Sequence, residues 1–209
     1  MATQIANQDR VDREQLYKAS IEPRFLRVPC ISFLMVDGTG DPNTSAEYQD
    51  ALAALYGLSY TLKFERKKSA GLSFRVAPLE GLWWADEMRE FSIERKGDGK
   101  WTAMVAQPDE VTPEMVQAAV EAVRAKKHLQ ALDRVRLEPF EEGWGAQVLH
   151  PGPYAEEGLT IDKLHRYIHE HGYTFDGTHE KHHEIYRSDP RRTAPDRVKT
   201  ILRQPVVPL

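Results

Sequence analysis

Two stretches of this chain carry the same punctuation. Pro108, Pro113, Glu114 and Val116 are echoed by Pro190, Pro195, Asp196 and Val198, each 82 residues further on. A repeat at fixed spacing constrains a fold strongly, because each copy should build the same supersecondary unit. The apolar pattern around each set gives the same order of elements. In the first half, residues 31–37 (ISFLMVD) form a short strand-forming run, ended by the turn residues 38–43. Thr44 or Ser45 then caps a helix with Tyr48, Leu52, Leu55, Tyr56, Tyr60 and Leu62 along one stripe. Residues 74–84 and 101–105 read as two further strands around a turn at 96–100. Thr112-Pro113 opens a second helix that buries Met115, Val116, Ala119, Val120 and Val123.

The second half repeats this order. Residues 146–149 read as a strand and 150–154 as a loop. Thr160 caps a helix with Ile161, Leu164 and Ile168 on its core face, and 182–187 is another strand. Pro195 opens a last helix carrying Val198, Ile201 and Leu202. The expectation is an α+β fold: a pseudo-twofold duplication of a strand–helix–strand–strand unit, with antiparallel sheets, helices on one face and a ligand cleft between the halves. Residues 1–20 read as a loose lead-in. Residues 21–209 then form one domain of two pseudo-repeats, about 21–127 and 128–209.

Bulk properties narrow the function classes. With 209 residues, 41% of them hydrophobic, the chain can bury a sizeable core. A net charge of −4 argues against direct nucleic-acid binding, which rewards a basic face. No apolar run reaches the length of a membrane span, and the polar N-terminus lacks a signal-peptide core. A single cysteine, Cys30, implies no disulfide, so the expected location is cytoplasmic.

The segment His182-His-Glu-Ile-Tyr-Arg-Ser-Asp-Pro190 carries the most chemistry. Alternation along a strand puts His182, Glu184 and Tyr186 on one face and Ile185 on the other, towards its helix. A carboxylate and a phenol on the non-helix face suit the polar centre of an apolar cavity; the plainer alternative is a solvated edge strand. Trp83, Trp84, Trp144, Tyr56 and Tyr154 are candidate walls, fit for a planar or cationic ligand through stacking and cation–π attraction. As core aromatics they would need no ligand, and adjacent Trp83 and Trp84 cannot both line one cavity. Six of the eight histidines fall between His165 and His183. Without a cysteine partner or a His-Glu-x-x-His motif, no metal or other cofactor is expected.

Several ordered motifs resemble one family. They are Met35-Val-Asp-Gly-Thr-Gly-Asp-Pro-Asn43, Pro78-Leu-Glu-Gly-Leu-Trp-Trp84, Gln147-Val-Leu-His-Pro-Gly-Pro-Tyr154, the His182–Pro190 segment, and Lys199-Thr-Ile-Leu-Arg-Gln-Pro-Val206. On these the chain resembles GyrI-like small-molecule-binding proteins. The resemblance implies a duplicated SHS2 fold shared with multidrug-sensing effector domains, in which a buried glutamate meets cationic aromatic drugs. Glu184 matches that glutamate, and Tyr186 belongs to the same signature; Arg187 stands where a leucine is expected. No DNA-binding region precedes the domain, so the chain is similar to stand-alone members. Some of these hydrolyse cyclopropanoid DNA-alkylating natural products, a detoxification. That subset implies Glu184 and Tyr186 as catalytic residues. A non-catalytic module that sequesters or senses amphipathic drugs is the alternative. A gyrase-binding protein would need an exposed apolar or acidic patch, which the sequence does not display.

Overall fold

The run at Ile31 is the second half of a 16-residue strand, β1 (Arg24–Thr39), in the computed structural model, which describes residues 13–84 and 99–209. Ser45 is the cap that starts α2 (Ala46–Ala70), its hydroxyl accepting from the Tyr48 amide, and Gly71 ends it in the left-handed conformation at φ +66°. β2 (Leu79–Trp84) and β3 (Lys100–Ala106) follow, then α3 (Pro113–Arg124), with the Thr112 hydroxyl accepting from the Met115 amide. The expected strand at 74–84 is real only from Leu79 onward, and residues 96–98 of the expected turn lie outside the described residues.

The remaining chain forms β4 (Arg136–Pro151), α4 (Gly158–Glu170), β5 (Tyr173–Thr174), β6 (His182–Tyr186), β7 (Lys199–Pro205) and β8 (Val207–Pro208). Strand, long helix, strand, strand therefore occurs twice, as β1-α2-β2-β3 and as β4-α4-β6-β7, the order a duplication would give. The echoed prolines do not open matching elements, however. Pro113 starts a 12-residue helix, whereas Pro195 starts a single 3-10 turn (Pro195–Arg197), and Ile201 and Leu202 lie in a strand. The expected last helix is corrected because β7 is buried along nearly its whole length and pairs with β4, which favours its β-branched residues Thr200 and Ile201 in extended form. The α4 start is corrected too. Thr160 caps nothing: its hydroxyl is engaged by His150 Nδ1 at 2.9 Å, and the helix begins at Gly158.

The chain divides into two compact units. One contains Ile31–Phe140 and Asp176–Glu184. Within it β3 lies between β1 and β2, antiparallel to both, with Val36 and Gly81 opposite Ala103, and β6 adjoins β2. Its core holds Leu34, Val36, Leu55, Leu58, Trp101 and Val105, all fully buried, and α2 also packs on α3. Gly38 faces Trp101 across the β1–β3 ladder; a Cβ there would sit 2.1 Å from the indole. Only a glycine leaves room for that ring.

The other unit contains Met1–Cys30, Glu141–Phe175 and Ile185–Leu209. Here β4 and β7 pair from Gly145–Pro205 to Pro151–Lys199, and α4 lays Leu164 and Ile168 on Ala146, Val148 and Leu202. On the opposite face Arg203 forms a buried ion pair with Glu142 (2.9 Å) and donates to Gln147 and to the Leu16 carbonyl. That carbonyl ends α1 (Arg13–Leu16), whose Leu16 is buried. Gln147 and Arg24 both donate to the Lys18 carbonyl, so residues 13–18 are tied to the sheet. Residues 1–12 of the expected lead-in lie outside the described residues.

Candidate functional site

β6 is a five-residue strand whose two faces hold different chemistry. His183 Nε2 donates to Glu80 Oε2 at 3.0 Å, with both side chains about 98–99% buried at 1% and 2% exposure. Lys181 lies 3.6 Å over the Trp84 ring. Residues 181 and 183 of this segment therefore share a face with Glu80 and Trp84 of β2. Burial depresses the Lys181 pKa, against the pull of Asp37, which favours the charged form.

The helix packs on the other face. Trp83 stands opposite Trp101 in the ladder, and Tyr48 of α2 touches both rings, at centroid distances of 6.1 and 4.9 Å. Since His183 points with Glu80, alternation turns His182 and Glu184 to the helix-bearing face with Trp83. This corrects the expectation that Glu184 occupies the non-helix face. Which face of β6 carries the helix depends on its pairing with β2, which no local pattern reveals. His182 Nε2 lies 3.6 Å from Glu184 Oε1, with side chains 7% and 16% exposed. His182 Nε2 and Trp83 Nε1 are both buried without a hydrogen-bond partner. A carboxylate beside buried donors that await an acceptor can fix a polar group of a ligand or a water.

The remaining candidates fall in separate places. Trp84 is on the face opposite Trp83, so only Trp83 shares a face with Glu184. Tyr56 lies on α2 with its ring 6.4 Å from the exposed Tyr60. In the other unit, Tyr186 meets Tyr154 edge-on at 5.7 Å. Trp144 is 54% exposed and lies within β4, not at its start. A groove of about 350 Å³ along α3, bordered by Val116, Val120, Leu132 and Val135, involves none of these residues. Among the described residues no three or more His, Cys, Asp or Glu side chains are grouped to hold a metal. His165 and His169 instead pack on Phe175, at centroid distances of 4.6 and 5.8 Å, and His179 pairs with Asp176 at 2.6 Å. No helix among the described residues is long and apolar enough to cross a membrane. Glu80 was missed by sequence reasoning; a glutamate between two leucines in Leu79-Glu-Gly-Leu82 was the available signal.

The GyrI-like small molecule binding domain model matches residues 21–206. The chain belongs to this family. A conserved protein of Listeria innocua is 39% identical to this GyrI-like chain over 93% of it and 96% of its own length, with a TM-score of 0.85. Two structures described as hydrolases from the same organism are 38% and 40% identical over the same shares, with TM-scores of 0.81 and 0.82. The EcmrR C-terminal domain shares the GyrI-like fold at 12% identity, covering 90% of this chain and 98% of that one, with a TM-score of 0.56. No curated protein matches the chain.

Proposed function

We propose that this GyrI-like protein is a small-molecule hydrolase that detoxifies cyclopropanoid alkylating agents by adding water to the strained ring. The observation that carries the reading is the Glu184 carboxylate, 16% exposed and set beside buried His182 on a strand rather than in solvent. Identity of 38–40% to Listeria proteins described as hydrolases supports the reaction type.

The substrate class is a cyclopropane conjugated to a dienone. Glu184 takes a proton from water as the water oxygen forms a bond to the less substituted ring carbon. The ring C–C bond breaks, and its electron pair flows into the dienone, leaving a phenolate oxygen. Tyr186, two residues along the same strand, protonates or hydrogen-bonds that oxygen, and Tyr154 at its edge is the neighbouring phenol. Trp83 supplies a flat surface for the ring system. The product lacks its electrophilic carbon and no longer alkylates DNA.

The test is incubation of purified protein with a cyclopropane-dienone alkylator, following water addition by chromatography and mass spectrometry. Glu184→Gln should lower kcat by about 10²–10⁴-fold, the usual worth of a general base. Tyr186→Phe should lower it by about 10²-fold. Full turnover in Glu184→Gln would sink the assignment. Binding without turnover in the wild type would instead favour the second reading, a module that sequesters aromatic drugs, which the family's small-molecule-binding character supports.

A further inference from the structure

His182 and His183 are adjacent in sequence and chemically identical, yet their surroundings separate them. His183 is 1% exposed and its Nε2 is engaged with Glu80 at 3.0 Å, which anchors β6 to β2. His182 is also buried, but its Nε2 makes no hydrogen bond, and the nearest carboxylate oxygen is Glu184 Oε1 at 3.6 Å. A buried polar atom without a partner is costly, so such a group calls for a use. The distance is longer than the 2.7–3.2 Å of an ordinary hydrogen bond, and a shift of under ~1 Å would close it. Catalytic hydrogen bonds are commonly long in the unliganded state and tighten in the complex.

We propose that His182 is the positioning residue for Glu184. When a bound ligand excludes water from Glu184, His182 Nε2–H donates to one of its carboxylate oxygens. The other oxygen can then accept from the attacking water, because an ionised carboxylate accepts on both oxygens. His182 forms and breaks no bond to substrate; it selects the Glu184 rotamer and holds the carboxylate as the acceptor. Glu80 and His183, on the reverse face, fix the strand so that this geometry is presented. The proposal rests on the hydrolase reading above.

The experiment measures kcat and KM for water addition to the cyclopropane-dienone alkylator, with Tm, for wild type, His182→Ala, His182→Gln and His183→Gln. Misplacing a catalytic group by about 1 Å costs about 10²-fold. His182→Ala should therefore lose kcat on that order with KM held within about twofold. Added imidazole should restore part of the loss in His182→Ala, and none in Glu184→Gln run beside it. His182→Gln, which keeps an N–H donor at similar reach, should retain most of kcat. His183→Gln should lower Tm, because an amide fills the buried site less well than the imidazole that now meets Glu80. Wild-type kcat in His182→Ala overturns the proposal and leaves the hydrolase reading standing. So does an equal loss in His182→Ala and His182→Gln with no response to imidazole. A wild type that adds no water overturns both.

Discussion

Arg203 shows what one buried side chain is asked to do. Its guanidinium reaches Glu142, Gln147 and the Leu16 carbonyl at 2.7–3.1 Å, with 2% of the side chain exposed. A planar fork of five donors can satisfy three acceptors at once, which a lysine cannot. Removing one partner of a buried ion pair leaves the other charged and dry. Arg203→Ala should cost about 3–5 kcal/mol, read from urea unfolding, and Arg203→Lys should recover only part of it. A loss under ~1 kcal/mol would mean that water reaches Glu142 readily. Residues like this are hard to see in a sequence. Arg203 sits between Leu202 and Gln204 in a run that reads as an amphipathic helix end, and its partners are 56 to 187 positions away. The strand that carries Glu184 and Tyr186 was legible because its signal is local: alternation within five residues. Glu80 was not, because its partner His183 is 103 positions distant.

The elements were recognised best where a cap or a local period defines them. Ser45, Thr112 and the apolar stripes of α2, α3 and α4 are chemistry within one or two turns, so those helices could be placed from the sequence. β7 was misread because Val198, Ile201 and Leu202 also fit a helical spacing, and only the ladder with β4 selects the extended form. β1 and β4 were read too short, since their outer ends, 24–30 and 136–145, alternate less clearly. The loop before β6 makes a testable prediction at this scale. The Asp176 carboxylate accepts from the Thr178 and His179 amides at 2.7 Å and from His179 Nδ1 at 2.6 Å. The His179 hydrogen bond, first, holds the Asp176 pKa well below the usual carboxylate range, and the same bond raises that of His179. Asp176 therefore contributes its stabilisation above about pH 3.8 and loses it as pH falls through its folded value. His179 contributes below about pH 6.5 and loses it as pH rises through its own. The loop should be best ordered between those limits. An NMR titration should show His179 above its ordinary pKa in wild type and returned towards it in Asp176→Asn. Both groups are exposed, so Tm should barely move.

At the scale of the whole molecule, the two compact units do not follow the order of the chain. The boundary between them falls inside β1, inside β4 and inside β6, so each of these strands contributes residues to both. A strand cannot lose half its ladder without fraying the rest, which ties the unfolding of one unit to the other. Unfolding should be a single transition. Trp101 reports on one unit and Trp144 on the other, so fluorescence of Trp144→Phe and of wild type should share one midpoint with far-ultraviolet circular dichroism. Two separated midpoints would show that the units melt independently. A split of this kind is invisible in the sequence, whose 82-residue echo suggests successive halves.

The pairing of Gly38 with Trp101 has a practical consequence. An indole set against the bare backbone of Gly38 sits in a socket, one wall of which is main chain that side-chain rearrangement cannot refill. Cutting Trp101 back to glycine would leave a void of the shape of the lost ring, next to the strand that carries Asp37. Free indole matches that void, so adding it should restore part of the stability that the truncated protein loses.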